Sequence, residues 1–245
     1  MSPASLTDPV SLIAGLEEWH FWFVARGELI QRLLLGEVSR SGSSVLDIGC
    51  GTGLTVSRLS LQGYRVVGTD INVSQLKKRS RLHECGFVQS AATALPFSAA
   101  SFDCALLLDV LEHVDTVTAL QEAKRVLRPS GMLLLTVPAF PWLWSHRDRV
   151  AGHRFRFRKE SVKSMLARAG FKIQRVHYYQ CILFPFLMAT RLLGRSSASF
   201  SKLEERPGKI INRIATMISR LEVRLTRFFP WPFGSTLVCV ARNQE

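Results

Sequence analysis

Residues 45–53 read Val45-Leu46-Asp47-Ile48-Gly49-Cys50-Gly51-Thr52-Gly53. A short apolar run carrying one acid enters a turn with glycine at alternate positions. Glycine there lets the backbone turn tightly and approach a ligand that a Cβ would repel. Val66-Val67-Gly68-Thr69-Asp70 repeats the design, a second apolar run ending in an acid. In a Rossmann-like sheet that acid stands where the ribose of a nucleotide lies. The dinucleotide fingerprint G-x-G-x-x-G would place its third glycine at position 54, which is Leu54.

Apolar runs and helical periodicities alternate on either side, the pattern of a parallel α/β sheet. Strands are predicted at 44–48, 65–69, 86–89, 103–108, 131–137, 172–179 and 236–242, and helices at 54–62, 73–84, 117–127 and 159–169. Gly42, Gly63, Pro129-Ser130-Gly131 and Gly170 punctuate them. The expected fold class is α/β: a Rossmann-like, seven-stranded, mostly parallel sheet with helices on both faces. A chain of 245 residues buries a full core and is expected as one domain. Within it, 1–40 are an N-terminal helical cap, 41–180 the cofactor-binding core, 181–234 a helical insertion and 235–245 the final strand.

Ala94-Leu95-Pro96-Phe97, Ser101-Phe102-Asp103, Asp109-Val110-Leu111-Glu112-His113-Val114 and Val126-Leu127-Arg128-Pro129-Ser130-Gly131 follow in order. Together with the G-x-G-x-G turn they resemble the class I S-adenosylmethionine (SAM) methyltransferases, of the type 11 and ubiquinone-biosynthesis kind. Three further segments are similar to a bacterial subgroup often encoded among envelope-glycan and lipid genes. They are His20-Phe21-Trp22-Phe23 with Arg26, Pro138 through Asp148, and Pro232-Phe233-Gly234-Ser235-Thr236-Leu237. Phe155 and Phe157 depart from that pattern, which has Arg and Tyr there.

The resemblance implies SAM as cofactor. Backbone N–H groups of Gly49, Cys50, Gly51, Thr52 and Gly53 suit its carboxylate. Asp47 suits its amine, directly or through water. Asp70 accepts both ribose hydroxyls, because an ionised carboxylate is an acceptor-only fork. Ile71 covers one face of the adenine. Relatives often place an acid ahead of the A-x-x-L-P-F stretch to meet the adenine amine; here Ala91 stands there, and recognition passes to backbone near Ala92 and Thr93. Asp109 closes the cofactor set at the carboxyl edge of the fourth strand.

The arrangement Asp109-x-x-Glu112-His113 is similar to the metal cluster of ubiquinone-biosynthesis O-methyltransferases. Oxygen and imidazole ligands would hold Mg²⁺ or Zn²⁺ and acidify an acceptor hydroxyl. Without metal, His113 serves as a general base or orders its loop. His146, Asp148, His153 and Arg154 are expected to wall the acceptor pocket, with His146 or His153 as alternative proton acceptors. The nearby tryptophans suit either that wall or core packing.

The formal net charge is +13. It implies an anionic partner: a membrane surface, nucleic acid or a phosphorylated substrate. The insertion alone carries nine bases against three acids. It reads as an apolar segment (Ile182 to Leu193), a polar linker (Ser196 to Pro207) and a basic amphipathic helix (Lys209 to Phe229), with Ile210, Ile211, Ile214, Met217, Ile218, Leu221, Leu225 and Phe228 at helical spacing. Such a helix lies on an anionic membrane or packs its apolar face on the domain, and the expected form is a lid that does both, covering the acceptor pocket and offering bases to lipid headgroups. The apolar segment is shorter than the ~20 residues needed to span a bilayer. The five cysteines form no C-x-x-C pair and read as buried hydrophobes in a reducing compartment. A cytoplasmic location, peripheral at the inner face of the membrane, is expected.

The leading function is methyl transfer from SAM to a small or lipid-linked acceptor, at oxygen. An RNA methyltransferase is the alternative favoured by charge, but Asp109 to Val114 stands where amino-methyltransferases of nucleic acids carry [DNS]-P-P-[YF]. A non-catalytic SAM-binding protein is the third, opposed by the intact glycines and both strand-end acids.

Overall fold

The computed structural model describes residues 15–39, 42–72, 86–193, 206–226 and 231–244. The predicted helix at 73–84, Cys85, most of the linker at 196–207 and Phe228 lie outside these. In chain order the elements are α1 (Phe21–Glu37), β1 (Ser44–Ile48), α2 (Leu54–Ser60), β2 (Arg65–Asp70), β3 (Gly86–Gln89) and β4 (Phe102–Leu108). Then come α3 (Thr116–Val126), β5 (Leu127–Pro138), a 3₁₀ turn (Pro141–Leu143), α4 (His146–Val150), α5 (Lys159–Arg168), β6 (Phe171–Tyr179), α6 (Phe184–Leu193), α7 (Lys209–Leu225) and β7 (Thr236–Asn243).

The seven strands form one sheet in the order β3-β2-β1-β4-β5-β7-β6. All neighbours run parallel except β7, which is antiparallel to both β5 and β6. Strands buried on both faces read as continuous apolar runs, and alternate residues serve opposite faces. Ala105, Leu107, Leu133 and Leu135 join a core under α3 and α5. Cys104, Leu106, Met132 and Leu134 join a second core under α1, α2 and Val223 of α7. The strand order reverses between β1 and β4, so a crevice opens beyond their carboxyl ends, where α/β folds bind ligands. Asp47 and the glycine turn sit at one lip and Asp109 at the other.

One boundary departs from expectation. The predicted turn at Pro129–Gly131 is absorbed into β5, which begins at Leu127 directly after α3. Leu127 pairs with Phe102 and Met132 with Cys104, so four residues bulge opposite Asp103. The bulge accommodates Pro129, which has no N–H to donate, and Ser130 at φ +60°.

The insertion also folds differently from a lid that buries its apolar stripe. α7 packs along α1 and buries Asn212, Ala215, Ser219, Glu222 and Val223. Its apolar stripe faces outward.

Candidate active site

The glycine turn owes its residue types to backbone geometry. Gly49, Gly51 and Gly53 have φ of 75°, 55° and 77°, a left-handed region that only glycine enters freely. A Cβ on Gly49 would lie 2.5 Å from Cγ2 of Val110, whereas a Cβ on Gly51 would meet nothing within 4 Å. Gly49 is therefore glycine for packing, and Gly51 borders open space. The N–H groups of Gly49 and Cys50 donate to the Thr69 carbonyl at 2.7 and 2.9 Å, locking the turn against β2. Asp70 accepts from the N–H of Gly51 and of Asn72, both at 2.9 Å. Ile71 is 72 % exposed beside it. The Ser90 N–H donates to the Asp70 carbonyl at 3.1 Å, which brings the Ala91–Ala94 turn, with Ala92 and Thr93, to the same edge. The Cys50 thiol is buried and its pKa is pushed up, by desolvation first and then by Asp47 and Asp70, so it is inert as a nucleophile.

Asp47 is buried, and burial pushes its pKa to about 7; Arg26 opposes this, while Asp70 and Glu17 add to it. Glu17 also accepts from the Thr52 hydroxyl. Three acids thus surround the crevice lip, which favours a cationic amine. Arg26 reaches in from α1 to pair with Asp109, its guanidinium lying 4.5 Å from the ring centre of Trp22 and 5.4 Å from that of Phe23. Asp109, at φ +57°, is thereby held at the site's centre. We expect SAM affinity to fall as pH drops below about 7, approaching tenfold per unit, because protonated Asp47 must ionise to meet an ammonium. The raised pKa also makes the ligand-free protein lose stability as pH rises from the ordinary carboxylate range through about 7. Titration calorimetry between pH 5.5 and 7 tests the first point; Asp47→Asn should remove the slope, and a flat wild-type profile contradicts the assignment.

Across the crevice a second constellation is built by loop closure. The Arg154 N–H donates to the Glu112 carbonyl at 2.8 Å, and the His153 N–H to the Asp148 carbonyl at 2.9 Å. Asp148 accepts from the Ser145 N–H and from Arg156 Nε, each at 2.8 Å, and lies 2.9 Å from His153 Nδ1. Arg156 is in turn anchored on the Ala139 carbonyl at 2.9 Å. Burial works against the Asp148 charge, but the His153 hydrogen bond and Arg156 outweigh it and hold its carboxyl below the usual range. An ionised carboxylate only accepts, so Nδ1 of His153 carries a proton; in the neutral ring the lone pair is then on Nε2. The same logic applies to His113, whose Nδ1 lies 3.2 Å from the Gly152 carbonyl. Burial, then His153, lowers the His113 pKa, so its ring is neutral at pH 7.

Glu112 is fully buried, and among the described residues neither carboxylate oxygen has a hydrogen-bond partner. Burial and then Asp109 raise its pKa well above the ordinary value. His153 Nε2 lies 3.9 Å from Glu112 Oε1, and the His113 and His153 rings meet edge to face with centroids 5.0 Å apart. One ligand atom from each of Glu112, His113 and His153 falls within 4.8 Å of the others. Of the expected set Asp109, Glu112 and His113, the structure groups Glu112 and His113 with His153, while Asp109 pairs with Arg26. His146 is exposed on the first turn of α4, and among the described residues none of these contacts involves it. Arg26 and Arg156 were not assigned site roles from sequence: the partner of Arg26 lies 83 residues on, and no helix or strand spacing links Arg156 to Asp148.

Next in the chain after Ala139, on whose carbonyl Arg156 rests, Phe140 begins an aromatic wall. Phe140 stacks on Tyr178 at 5.1 Å and meets Trp142 at 5.4 Å and Phe184 at 5.7 Å; Phe184 meets Phe233 at 5.5 Å. Trp142 and Phe233 remain partly exposed there. Phe157 instead packs into the core.

A profile of the methyltransferase domain family matches residues 46–135. The chain is 48% identical over 107 residues to the ubiquinone/menaquinone biosynthesis C-methyltransferase UbiE of Hahella chejuensis, covering 39% of this chain and 43% of that protein. It is 35% identical over 177 residues to the protein of the same name from Cronobacter sakazakii, covering 57% of this chain and 70% of that one. Among the curated relatives first matched, the chain spans 43%, 63% and 40% of their lengths. Of solved structures, the putative methyltransferase in complex with the Trm112 methyltransferase activator of Haloferax volcanii superposes with a TM-score of 0.64 at 17% identity, covering 97% of this chain and 98% of that one. That likeness speaks to the fold alone.

Proposed function

This chain belongs to the class I SAM-dependent methyltransferases, and we propose that it transfers the methyl group of SAM to oxygen of a small, apolar or lipid-linked acceptor bound against the aromatic wall. The observation that carries this reading is the pairing of His153 Nδ1 with Asp148 at 2.9 Å, which leaves Nε2 of the neutral ring as the proton acceptor. The sulfonium already activates the methyl group, so the protein has two tasks. It aligns acceptor oxygen, carbon and sulfur for in-line displacement. It also accepts the acceptor's proton, at Nε2 of His153. Asp70 and the glycine turn position the cofactor, and Arg26 links both halves through Asp109.

The orphaned oxygens of Glu112 favour a second reading of the same residues. Glu112, His113 and His153 fit a divalent ion, and two imidazoles with one carboxylate suit Zn²⁺ better than Mg²⁺. Such an ion would supply Lewis acidity to an acceptor hydroxyl. The relatives named above are C-methyltransferases, and carbon is the alternative nucleophile. We expect turnover to survive exhaustive chelation and ¹³C-methyl-SAM to yield a methyl ether by NMR. Activity lost to chelator and restored by Zn²⁺ would replace the base by the ion; a methyl carbon bonded to carbon would overturn the oxygen assignment.

A further inference from the structure

The side of α7 that faces the protein sets Asn212, Ser219 and Glu222 beside the small Ala215 and the core residue Val223, while the side that faces outward carries the larger apolar residues. Asn212 accepts from the Phe21 N–H at 2.8 Å and donates to the Trp19 carbonyl at 2.6 Å. Glu222 accepts from the N–H groups of Cys181 and Ile182 at 2.8 and 2.9 Å. These bonds satisfy backbone groups at the start of α1 and ahead of α6, and they fix the rotation of α7. The opposite side carries Ile210, Ile214, Met217 and Leu221 in one row, exposed by 77, 53, 64 and 52 %. The row runs roughly 16 Å at 1.5 Å per residue. Ile182 and, on α6, Phe186 are further exposed apolar residues of the same insertion. Along one flank of the row lie Lys209, Arg213 and Arg224, all exposed. Among the described residues Arg213 and Arg224 have no ion pair, while Arg220 is committed to Glu28 at 2.6 Å.

We propose that the outward face of α7 docks in the interface of an anionic lipid bilayer, the apolar row entering the acyl boundary and Arg213 and Arg224 meeting phosphate headgroups. A surface helix normally turns its apolar stripe inward; one that exposes it beside cations has the form of an interfacial helix. Charge selects the occupant. A second copy of this chain would bring another +13 molecule and its own arginines to the same face, so self-pairing is opposed by like charge. The row is aliphatic and offers no aromatic platform for nucleic-acid bases. Among the described residues no helix is long and apolar enough to cross a membrane, so the contact is lateral. It is independent of the methyl-transfer reading. Because α7 packs on the helix that carries Arg26, it would set the crevice one helix away from the lipid surface.

Flotation with vesicles tests it. The full chain should float with phosphatidylglycerol-containing vesicles at low salt, stay behind with phosphatidylcholine alone, and release as salt rises. Each interfacial arginine is worth about fivefold in partition, so R213E with R224E should weaken binding at least about 20-fold. I214D with M217D should do the same by removing the inserted row. These side chains are exposed, so SAM affinity should hold; if circular dichroism shows that either pair unfolds, I210S with M217S gives the same readout at lower risk. Absence of wild-type binding to anionic vesicles at low salt overturns the proposal. So does a wild-type dimer that M217D splits without any vesicle binding, or tight RNA binding in place of lipid.

Discussion

Replacing Gly51 by valine should leave the chain folded and lower its affinity for SAM by about 100-fold or more, a loss of roughly 2.7 kcal/mol. Among the described residues a Cβ at this position meets no atom within 4 Å, so the side chain projects into the space assigned to the cofactor's methionine end. The remaining cost is backbone strain, because φ is 55° and a side chain in the left-handed region costs about 1–2 kcal/mol. Gly49→Val should fail differently. Its side chain would collide with Val110 at 2.5 Å, so stability falls before binding is reached. Asp70→Ala should cost roughly 1.5–3 kcal/mol in affinity by removing charge-assisted contacts. Calorimetry and thermal melts of the three variants separate these effects, and undiminished SAM affinity in a folded Gly51→Val protein would remove the cofactor from this turn.

His153→Ala should lower turnover by about 10²-fold or more while SAM affinity changes little. The imidazole sits on the acceptor side, with its tautomer set by Asp148 at 2.9 Å. Asp148→Asn should also slow the reaction, since an amide can donate to Nδ1 and move the ring proton to Nε2, where it blocks the base. His113→Ala should cost less, because His113 touches Gly152 and the His153 ring but no anchored acid. His146→Ala should be silent, given its exposure. Single-turnover rates at saturating SAM decide the order; a His153→Ala enzyme with full rate would move the proton to water or to another group.

Much of this site was legible because its signals are local. Positive φ at alternate positions demands glycine, so Gly49, Gly51 and Gly53 announce their turn in residue type. The acid ending β2 follows from strand length alone. The rotation of α7 was not legible. Periodicity reports that a helix is amphipathic but not which face is buried, and here the answer lies with Asn212 and Glu222, whose partners are Trp19, Phe21, Cys181 and Ile182. The Glu112–His113–His153 grouping was half legible. Glu112 and His113 share a motif, but His153 arrives only because the loop after β5 folds back onto Glu112. Asp109, adjacent in sequence to that motif, is diverted by Arg26 from the far end of the chain.

The most direct test of the account is transfer of label from methyl-tritiated SAM by the purified chain into a fractionated cell extract, with lipid, small-molecule, RNA and protein fractions counted separately. The account predicts label in the organic-extractable or small-molecule fraction, absent with Gly51→Val and strongly reduced with His153→Ala. Label in RNA or protein, or SAM binding without transfer into any fraction, would contradict it.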